Sequence, residues 1–345
     1  MASTSRAVAR SAPPLALGEE VVLAVLEARE AHPRWGAKKL VVLLQRRFGA
    51  QAPSERTIAR ILDRFGKLRK RGRPRRVSVI ESAPTVDVRG PNDVWTVDFK
   101  GWWRTTDRRR CEPLTIRDAY SRYVLAVRLL DSTKGVAVRK VFQQLFQRFG
   151  LPKAIQCDNG APFVSVASRG GLTQLSAWWV SLGIELVRSR SGCPQDNGAH
   201  ERMHADMSGD LQASPADSRV KQQRACDRWR KQFNEVRPHE ALQQRVPAEL
   251  YVASPRRPRP KLTVYPPRWI IRLVNPSGVI KISGEMYRVS AGLAGHHVGL
   301  QPVDGLRWRV WFHQMDLGEL EIVPSDLASR SPLRSSPHHQ QDSLQ

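Results

Sequence analysis

VWTVDFKGWW, residues 94–103, is dense in β-branched and aromatic residues and reads as a strand with one aspartate, Asp98, inside it. A carboxylate within an otherwise apolar strand is costly unless it is paired or used. Downstream, the CEPLTIRDAY region (111–120) and RYVLAVRLL (122–130) have the same strand character. GVAVRKVFQQLFQRFG, 135–150, reads as a helix, and KAIQCD as a short strand ending at Asp158. A Trp-containing amphipathic stretch precedes another strand, GIELVRS (183–189), and two helical stretches fill about 197–236. Three strands, a helix, a strand, a helix, a strand and then helices predict a mixed α/β layer architecture.

On the N-terminal side the chain reads as helical. Val22, Val25 and Leu26 share one helical face, as do Leu40, Leu43 and Leu44. A third segment, SERTIARILDRFG, has Ser54 placed as an N-cap and Gly66 as the C-terminal stop. Ile58, Ile61, Leu62 and Phe65 follow the inward-facing helical spacing, which leaves Arg56, Thr57, Arg60 and Arg64 outward. Three short helices with a basic outer face on the last fit a helix-turn-helix. An ordinary solvated helix face has the same pattern. The tract KLRKRGRPRR (67–76), with Arg69, Lys70 and Arg71 at its centre, adds weight to the DNA-binding reading.

On the C-terminal side a second basic, proline-rich stretch runs from Ser254 to Lys261 and reads as an extended linker. Beyond it, short strands alternate with turns at Pro276-Ser277-Gly278, Ser283-Gly284 and Asp304-Gly305, which predicts a small β-barrel. Leu306, Trp308, Val310 and Phe312 alternate there with Arg307, Arg309 and Trp311, giving one apolar and one basic, aromatic face. The expected organisation is a disordered start (1–17), a helix-turn-helix domain (18–66) and a basic linker (67–90). A mixed α/β core (91–252), a second linker (253–262), a barrel (263–323) and a disordered tail (324–345) follow. No internal repeat is found.

Composition limits the classes open to such a chain. Its 345 residues hold 56 Lys and Arg against 32 Asp and Glu, a net charge of +24, which calls for a polyanionic partner, nucleic acid first. With 41% apolar residues it can build cores. No apolar run approaches the roughly 18–20 residues needed to cross a bilayer, and no signal-peptide layout opens the chain. Four cysteines exclude a disulfide-stapled fold. The expected location is the cytoplasm, with no membrane partner.

Three acids sit where strand ends meet loops or helix starts. They are Asp98, Asp158 in the turn Asp158-Asn159-Gly160, and Glu201 in CPQDNGAHERMH (193–204). Taken singly, each could be a cap or a surface charge. Together they offer hard oxygen ligands of the kind divalent cations prefer, and phosphoryl transfer is well served by two such ions about 3.5–4 Å apart.

The order W-x-x-D-F, then D-N-G-x-x-F (158–163), then P-x-x-N-G-x-x-E-R-x-H (194–204), with FNEVRPHEALQQRVPAELY (233–251) after it, resembles the DDE integrase core. Together these motifs look like a bacterial insertion-sequence transposase, related in its core to retroviral integrases. The resemblance implies an RNase H-like mixed-sheet catalytic core with an N-terminal helix-turn-helix and a small C-terminal β-barrel. It also implies that Asp98, Asp158 and Glu201 bind two Mg²⁺ or Mn²⁺ ions, with Asp98 bridging. The implied reaction is strand cleavage by water at element ends, then attack of the freed 3′-hydroxyl on target DNA. The implied partners are double-stranded DNA, as terminal inverted repeats and target, and further copies of the chain. Asn159 and Gly160 would shape the loop after the second acid. Asn197 and Gly198 would let the DNA backbone approach. Arg237, Pro238 and His239 match an R-P-H motif that either contacts DNA or clamps the core.

Three departures stand out. Asp158 and Glu201 are 43 positions apart, longer than is common in relatives, and Ser165–Ala177 reads as the extra surface loop. After E-R-x-H the chain continues Ala205-Asp206-Met207-Ser208-Gly209-Asp210, with few cations and a glycine that costs a helix about 1 kcal/mol. Residues 1–90 hold one histidine, His32, and no cysteine, so they form no zinc module of the retroviral kind. His204, three residues past Glu201, could orient the glutamate, touch DNA or simply pack. Cys157 and Cys193 read as small buried fillers, Trp95, Trp102 and Trp103 as core and strand packing ahead of base-stacking rings, and Trp178 and Trp179 as core. Two further readings stay open beside the transposase: a DNA-binding protein that has lost catalysis, and a nuclease of this fold without strand transfer.

Overall fold

A computed structural model of the chain describes residues 18–68, 87–166, 168–190, 198–259 and 263–322. The proposed termini 1–17 and 324–345, the sequence 69–86, Cys193 and Asn197 lie outside the described residues. The chain divides into two compact units, residues 1–81 with 232–249, and residues 82–231 with 250–345.

The first unit holds three helices, α1 (Glu19–Ala31), α2 (Ala37–Phe48) and α3 (Glu55–Arg64). Val25, Leu40, Leu44, Ile58, Ile61 and Leu62 are buried in their common core. The Ser54 side chain accepts from Thr57 N at 3.2 Å, so the N-cap is as the sequence proposes. Gly66 takes φ +65° and ends the helix. Phe65 departs from expectation. It is 49% exposed, because the chain has left α3 before reaching it. In the same unit, Lys38 pairs with Glu240 at 3.2 Å and Arg46 with Glu249 at 3.5 Å.

The second unit is built on a five-stranded sheet. Its strands are β1 (Val94–Phe99), β4 (Pro113–Asp118), β5 (Val124–Leu129), β6 (Ala154–Cys157) and β7 (Glu185–Arg188), in the order β5-β4-β1-β6-β7. A short hairpin, β2 (Trp103–Arg104) and β3 (Arg110–Cys111), lies between β1 and β4 in sequence. β1, β4 and β5 pair antiparallel, whereas β6 and β7 run parallel to β1. This mixed sheet with helices fits an RNase H-like α/β core. The strand expected to run to residue 103 ends at Phe99, because Gly101 takes φ +87° and turns the chain into the hairpin.

Helix α4 (Gly135–Phe149) crosses from β5 to β6, and α5 (Gln174–Ser181) from β6 to β7. Val138, Phe142, Leu145, Phe146 and Phe149 of α4 recur at helical spacing, and with Trp179 of α5 they bury Trp95, Val97, Leu114 and Ile116 of the sheet. Gly150 closes α4 at φ +76°. A Cβ there would stand 2.3 Å from Ser254 O, so the returning chain needs glycine on both counts. The first half of the second proline-rich stretch is strapped to the core by Arg256, which donates to Gly183 O at 2.7 Å. Helix α6 (Gly198–Met207) covers part of the other sheet face, and α7 (Arg219–Glu235) follows. At Ser208 α6 gives way to a wider π-type turn through Gln212, closed by Ala213 N to Ser208 O at 2.9 Å.

The last strands are β8 (Ile270–Leu273), β9 (Val279–Ile282), β10 (Glu285–Arg288), β11 (His297–Pro302), β12 (Arg307–Phe312) and β13 (Met315–Glu321). They form a four-stranded sheet, β13-β12-β11-β8, and a two-stranded one, β10-β9. Val274, Ile280, Val298, Leu300, Val310 and Phe312 fill their core. Leu306, expected on the apolar face, is 36% exposed, since β12 begins one residue later. The basic face of β12 is matched by acids: Arg309 pairs with Glu319 at 2.8 Å and lies 3.6 Å from Asp316. The segment expected as a surface loop, 165–177, is instead a seat for these strands. Leu172 is fully buried in their core, and Arg169 donates to Glu319 O at 2.9 Å. A Cβ on Gly292 would stand 2.3 Å from Leu172 O, so the two backbones are in close contact.

Candidate active site at the ends of two parallel strands

β1 and β6 pair in parallel with Trp95 opposite Ile155 and Thr96 opposite Gln156. Two residues beyond the last pair lie Asp98, still on β1, and Asp158, one residue past the end of β6. Neighbouring strands lie about 4.8 Å apart, so the pairing brings two carboxylate-bearing positions to one end of the sheet. Asp98 is the more enclosed, with 20% of its side chain exposed, and Asp158 is exposed. Gly160 N donates to Asp158 Oδ1 at 3.3 Å, and Asn159 Nδ2 donates to Ser189 O at 2.8 Å. The D-N-G turn is thus tied to the chain leaving β7.

Strand alternation places Thr96 and Asp98 of β1, with Thr115 and Arg117 of β4, on the face opposite the aromatic core. Helix α6 lies on this polar face. Arg117 Nε donates to Thr96 Oγ1 at 3.2 Å and Nη1 to Ala199 O at 3.1 Å. Thr115 Oγ1 donates to Asp98 O at 2.9 Å. A hydroxyl has one proton, so the two imidazoles that meet the same oxygen must both donate to it: His200 Nε2 at 2.6 Å and His204 Nε2 at 2.8 Å. That assigns both tautomers. His200 Nδ1 then accepts from Thr96 Oγ1 at 3.0 Å, and His204 Nδ1 is left as an acceptor.

Burial holds both rings neutral. His200, 1% exposed, is pushed well below the ordinary histidine range by burial, then by His204 and Arg117. His204 is pushed down to about 3 by burial, then by the charges of Lys100 and Arg117. Burial also lowers Arg117, to about 10. His204 Nδ1 stands 4.0 Å from Asp98 Oδ2, and because the ring is neutral this is not an ion pair. The oxygen donors at Asp98 and Asp158 suit a hard divalent cation.

Glu201 is exposed on the first turn of α6, directly after residues outside the description. Among the described residues, no group of three or more His, Cys, Asp or Glu is gathered closely enough to hold a metal ion. The structure therefore brings the two aspartates to one end of the sheet and adds His204 beside Asp98.

Arg56, Arg60 and Arg64 are exposed on α3, and Thr57 is half-buried beside its cap. Arg69, Lys70, Arg71 and Asn197 lie outside the described residues. His239 is buried with its ring 4.6 Å from Phe233, and the Arg237 guanidinium lies 5.5 Å from the Phe233 ring. Cys157 is buried, and burial followed by the Asp158 charge pushes its thiol up to about 12. Trp95, Trp103 and Trp179 are buried as expected, and Trp178 is half-buried. Trp102 is not core: it is 52% exposed. The cavity of about 720 Å³ lined by Lys153, Ile184, Arg256, Tyr265 and Trp269 includes none of the three acids.

Sequence reading missed Thr96, Thr115, Arg117 and His200. Polar residues at alternate positions, 96 and 98, then 115 and 117, were the signal available.

Two models, each described as integrase core domain, match this chain, one over residues 88–194 and the other over 182–247. The uncharacterized 31.7 kDa protein of insertion element IS407 from Burkholderia multivorans is 28% identical over 234 residues, 67% of this chain and 81% of its own length. The uncharacterized 39.2 kDa protein of insertion element IS476 from Xanthomonas euvesicatoria is 27% identical over 259 residues, 74% of this chain and 71% of its own length. Among solved structures, the HTLV-2 integrase catalytic core domain in complex with magnesium aligns with 48% of this chain and 100% of its own. Its TM-score is 0.36 and its identity 17%.

Proposed function

We propose that this chain, which two integrase core domain models match and which is similar to proteins of two insertion elements, is a DDE-type transposase. The observation that carries the reading is the parallel pairing of β1 with β6, whose register ends two residues before Asp98 on one chain segment and Asp158 on the other. Asp98, Asp158 and Glu201 would hold two Mg²⁺ or Mn²⁺ ions, Glu201 by resemblance to the family motif. When bound, such ions activate the attacking oxygen and stabilise the leaving one.

The chain's own residues do the rest. The Thr115 hydroxyl fixes the His204 ring so that Nδ1 offers a lone pair beside Asp98. That makes His204 a positioning residue for whatever Asp98 holds. The exposed arginines of α3 would enter the major groove at the element's terminal repeats, in a helix-turn-helix role. The +24 charge would hold phosphate and make binding strongly salt-dependent. Water would cleave the phosphodiester at the element end and leave a 3′-hydroxyl. That hydroxyl would attack a target phosphorus, and the target strand's own 3′ oxygen would leave. Holding two ends together requires more than one copy of the chain.

A second reading, DNA binding without catalysis, is favoured by one observation, the exposure of Glu201 outside any metal-sized group among the described residues. Labelled element-end DNA with Mg²⁺ or Mn²⁺ separates the readings. Joined products that vanish in Asp158→Asn are expected. Specific binding with no cleavage would leave the second reading. Cleavage without joining would mark a nuclease.

A further inference from the structure

Between Asp98 and β4 the chain leaves the sheet at Gly101 and forms the β2–β3 hairpin. Its inner side is closed. Trp103 and Cys111 face each other in register, 5% and 0% exposed. Its outer side carries Trp102, half in solvent, with the guanidinium of Arg104 at 5.5 Å from its ring and that of Arg110 at 5.1 Å. Arg104 Nη1 also donates to Arg108 O at 2.8 Å, and Arg110 Nη2 to Glu112 at 2.8 Å. Residues 100–112 hold five cationic side chains against two acidic ones.

The hairpin is braced. Thr105 N donates to Arg109 O at 3.0 Å across the tip, and Arg108 adopts φ +62° to close it. Thr106 N donates to Ala216 O at 3.1 Å and Asp107 N to Asp217 O at 3.2 Å, which anchors the tip to the segment after α6. An exposed tryptophan held among arginines on a fixed support is not explained by packing, since its neighbour Trp103 does the packing. Trp102 lies four residues past Asp98, within about 13 Å at full extension.

We propose that this hairpin is a nucleotide clamp: Trp102 stacks an unpaired base of the DNA, and Arg104 and Arg110 hold its phosphate, beside the strand ends that carry Asp98 and Asp158. The chemistry matches how single strands are held, by aromatic faces within a basic groove. Charge selects the occupant. Five cationic side chains against two acidic ones in residues 100–112 draw a polyanion such as DNA. The proposal rests on the polynucleotidyl transferase reading and names the strand contact that reading leaves open.

The test uses the full chain and two duplexes of one sequence, one blunt and one with a single-stranded overhang containing 2-aminopurine. The wild type is expected to favour the overhang and to quench the 2-aminopurine on binding. Trp102→Ala should lose the quenching and bind the overhang about tenfold more weakly, with blunt duplex little changed. Trp102→Phe should retain most of both, and Arg104→Ala with Arg110→Ala should weaken overhang binding while leaving melting temperature unchanged. Equal quenching and affinity in wild type and Trp102→Ala would overturn the clamp while leaving DNA binding standing. A wild type that binds neither duplex would remove the transferase reading and the clamp together. A DNA-free sedimentation coefficient that shifts in Trp102→Ala, with DNA binding unchanged, would mark a protein contact and also overturn the clamp.

Discussion

The two faces of the central sheet are made by the same strands and differ in every other residue. Toward α4 and α5, β1 and β4 present Trp95, Val97, Leu114 and Ile116 to a core of Phe142, Phe146 and Trp179. Toward α6 they present Thr96, Asp98, Thr115 and Arg117, met by His200 and His204. One face is held by apolar area removed from water, which is tolerant of direction. The other is held by hydrogen bonds whose donors and acceptors must each find one partner. The stable face can support the sheet while the polar one fixes the geometry of the acid positions.

The largest stability effect should come from the apolar face. Phe142 is fully buried, and Phe142→Ala should cost about 3–5 kcal/mol in chemical denaturation through a cavity the two helices cannot close. A loss under about 1 kcal/mol would mean this face is not the sheet's main support. Next comes Thr115→Val, which keeps shape and removes the one oxygen that both histidines address. Two buried N–H groups would lose their acceptor, at about 2–3 kcal/mol in denaturant titration. Strand joining should fall more than that stability loss explains. Joining at the wild-type rate would show that the network packs α6 without positioning anything.

That network was the part least legible in the sequence. The strands were readable because β-branched runs bounded by turns recur at 94–99, 113–118 and 124–129. Asp98 and Asp158 were readable through their motifs, and the parallel pairing of β1 with β6 runs toward both. The Thr115 hub joins residues from positions 96, 115, 200 and 204, and no local pattern records which threonine will lie under a helix still distant in sequence. Trp102 and Trp103 are neighbours of one type. Only the hairpin register, which pairs Trp103 with the buried Cys111, decides which ring goes inside. Leu172 was misread for a similar reason: a Ser- and Gly-rich segment looks solvent-facing until the last strands fold onto it.

The faces should also part in their response to pH. His200 and His204 are buried neutral, with folded values below the unfolded value of about 6.5. The unfolded chain then binds protons that the folded chain refuses. Their contribution to stability is complete above about pH 6.5 and is lost as pH falls toward about 3, where His204 itself titrates. Each ring should lower stability as pH falls through that window. Denaturant midpoints measured from pH 7 to pH 5 should slope downward, and His204→Asn should flatten the slope. A slope equal to wild type in that variant would remove His204 as a source of the effect.

The smallest effect sharpens the comparison most. Met203 and Met207 are buried on α6 and are its apolar anchors. If hydrogen bonds set the position of this helix, its apolar anchors need only fill space, and Met207→Leu, nearly conserving volume, should cost less than about 1.5 kcal/mol. Joining activity should stay near wild type, because the His204 ring would still be held by Thr115. If instead Met207→Leu costs as much as Thr115→Val, α6 is seated by packing as α4 is. The two faces of the sheet would then differ in composition but not in what holds them.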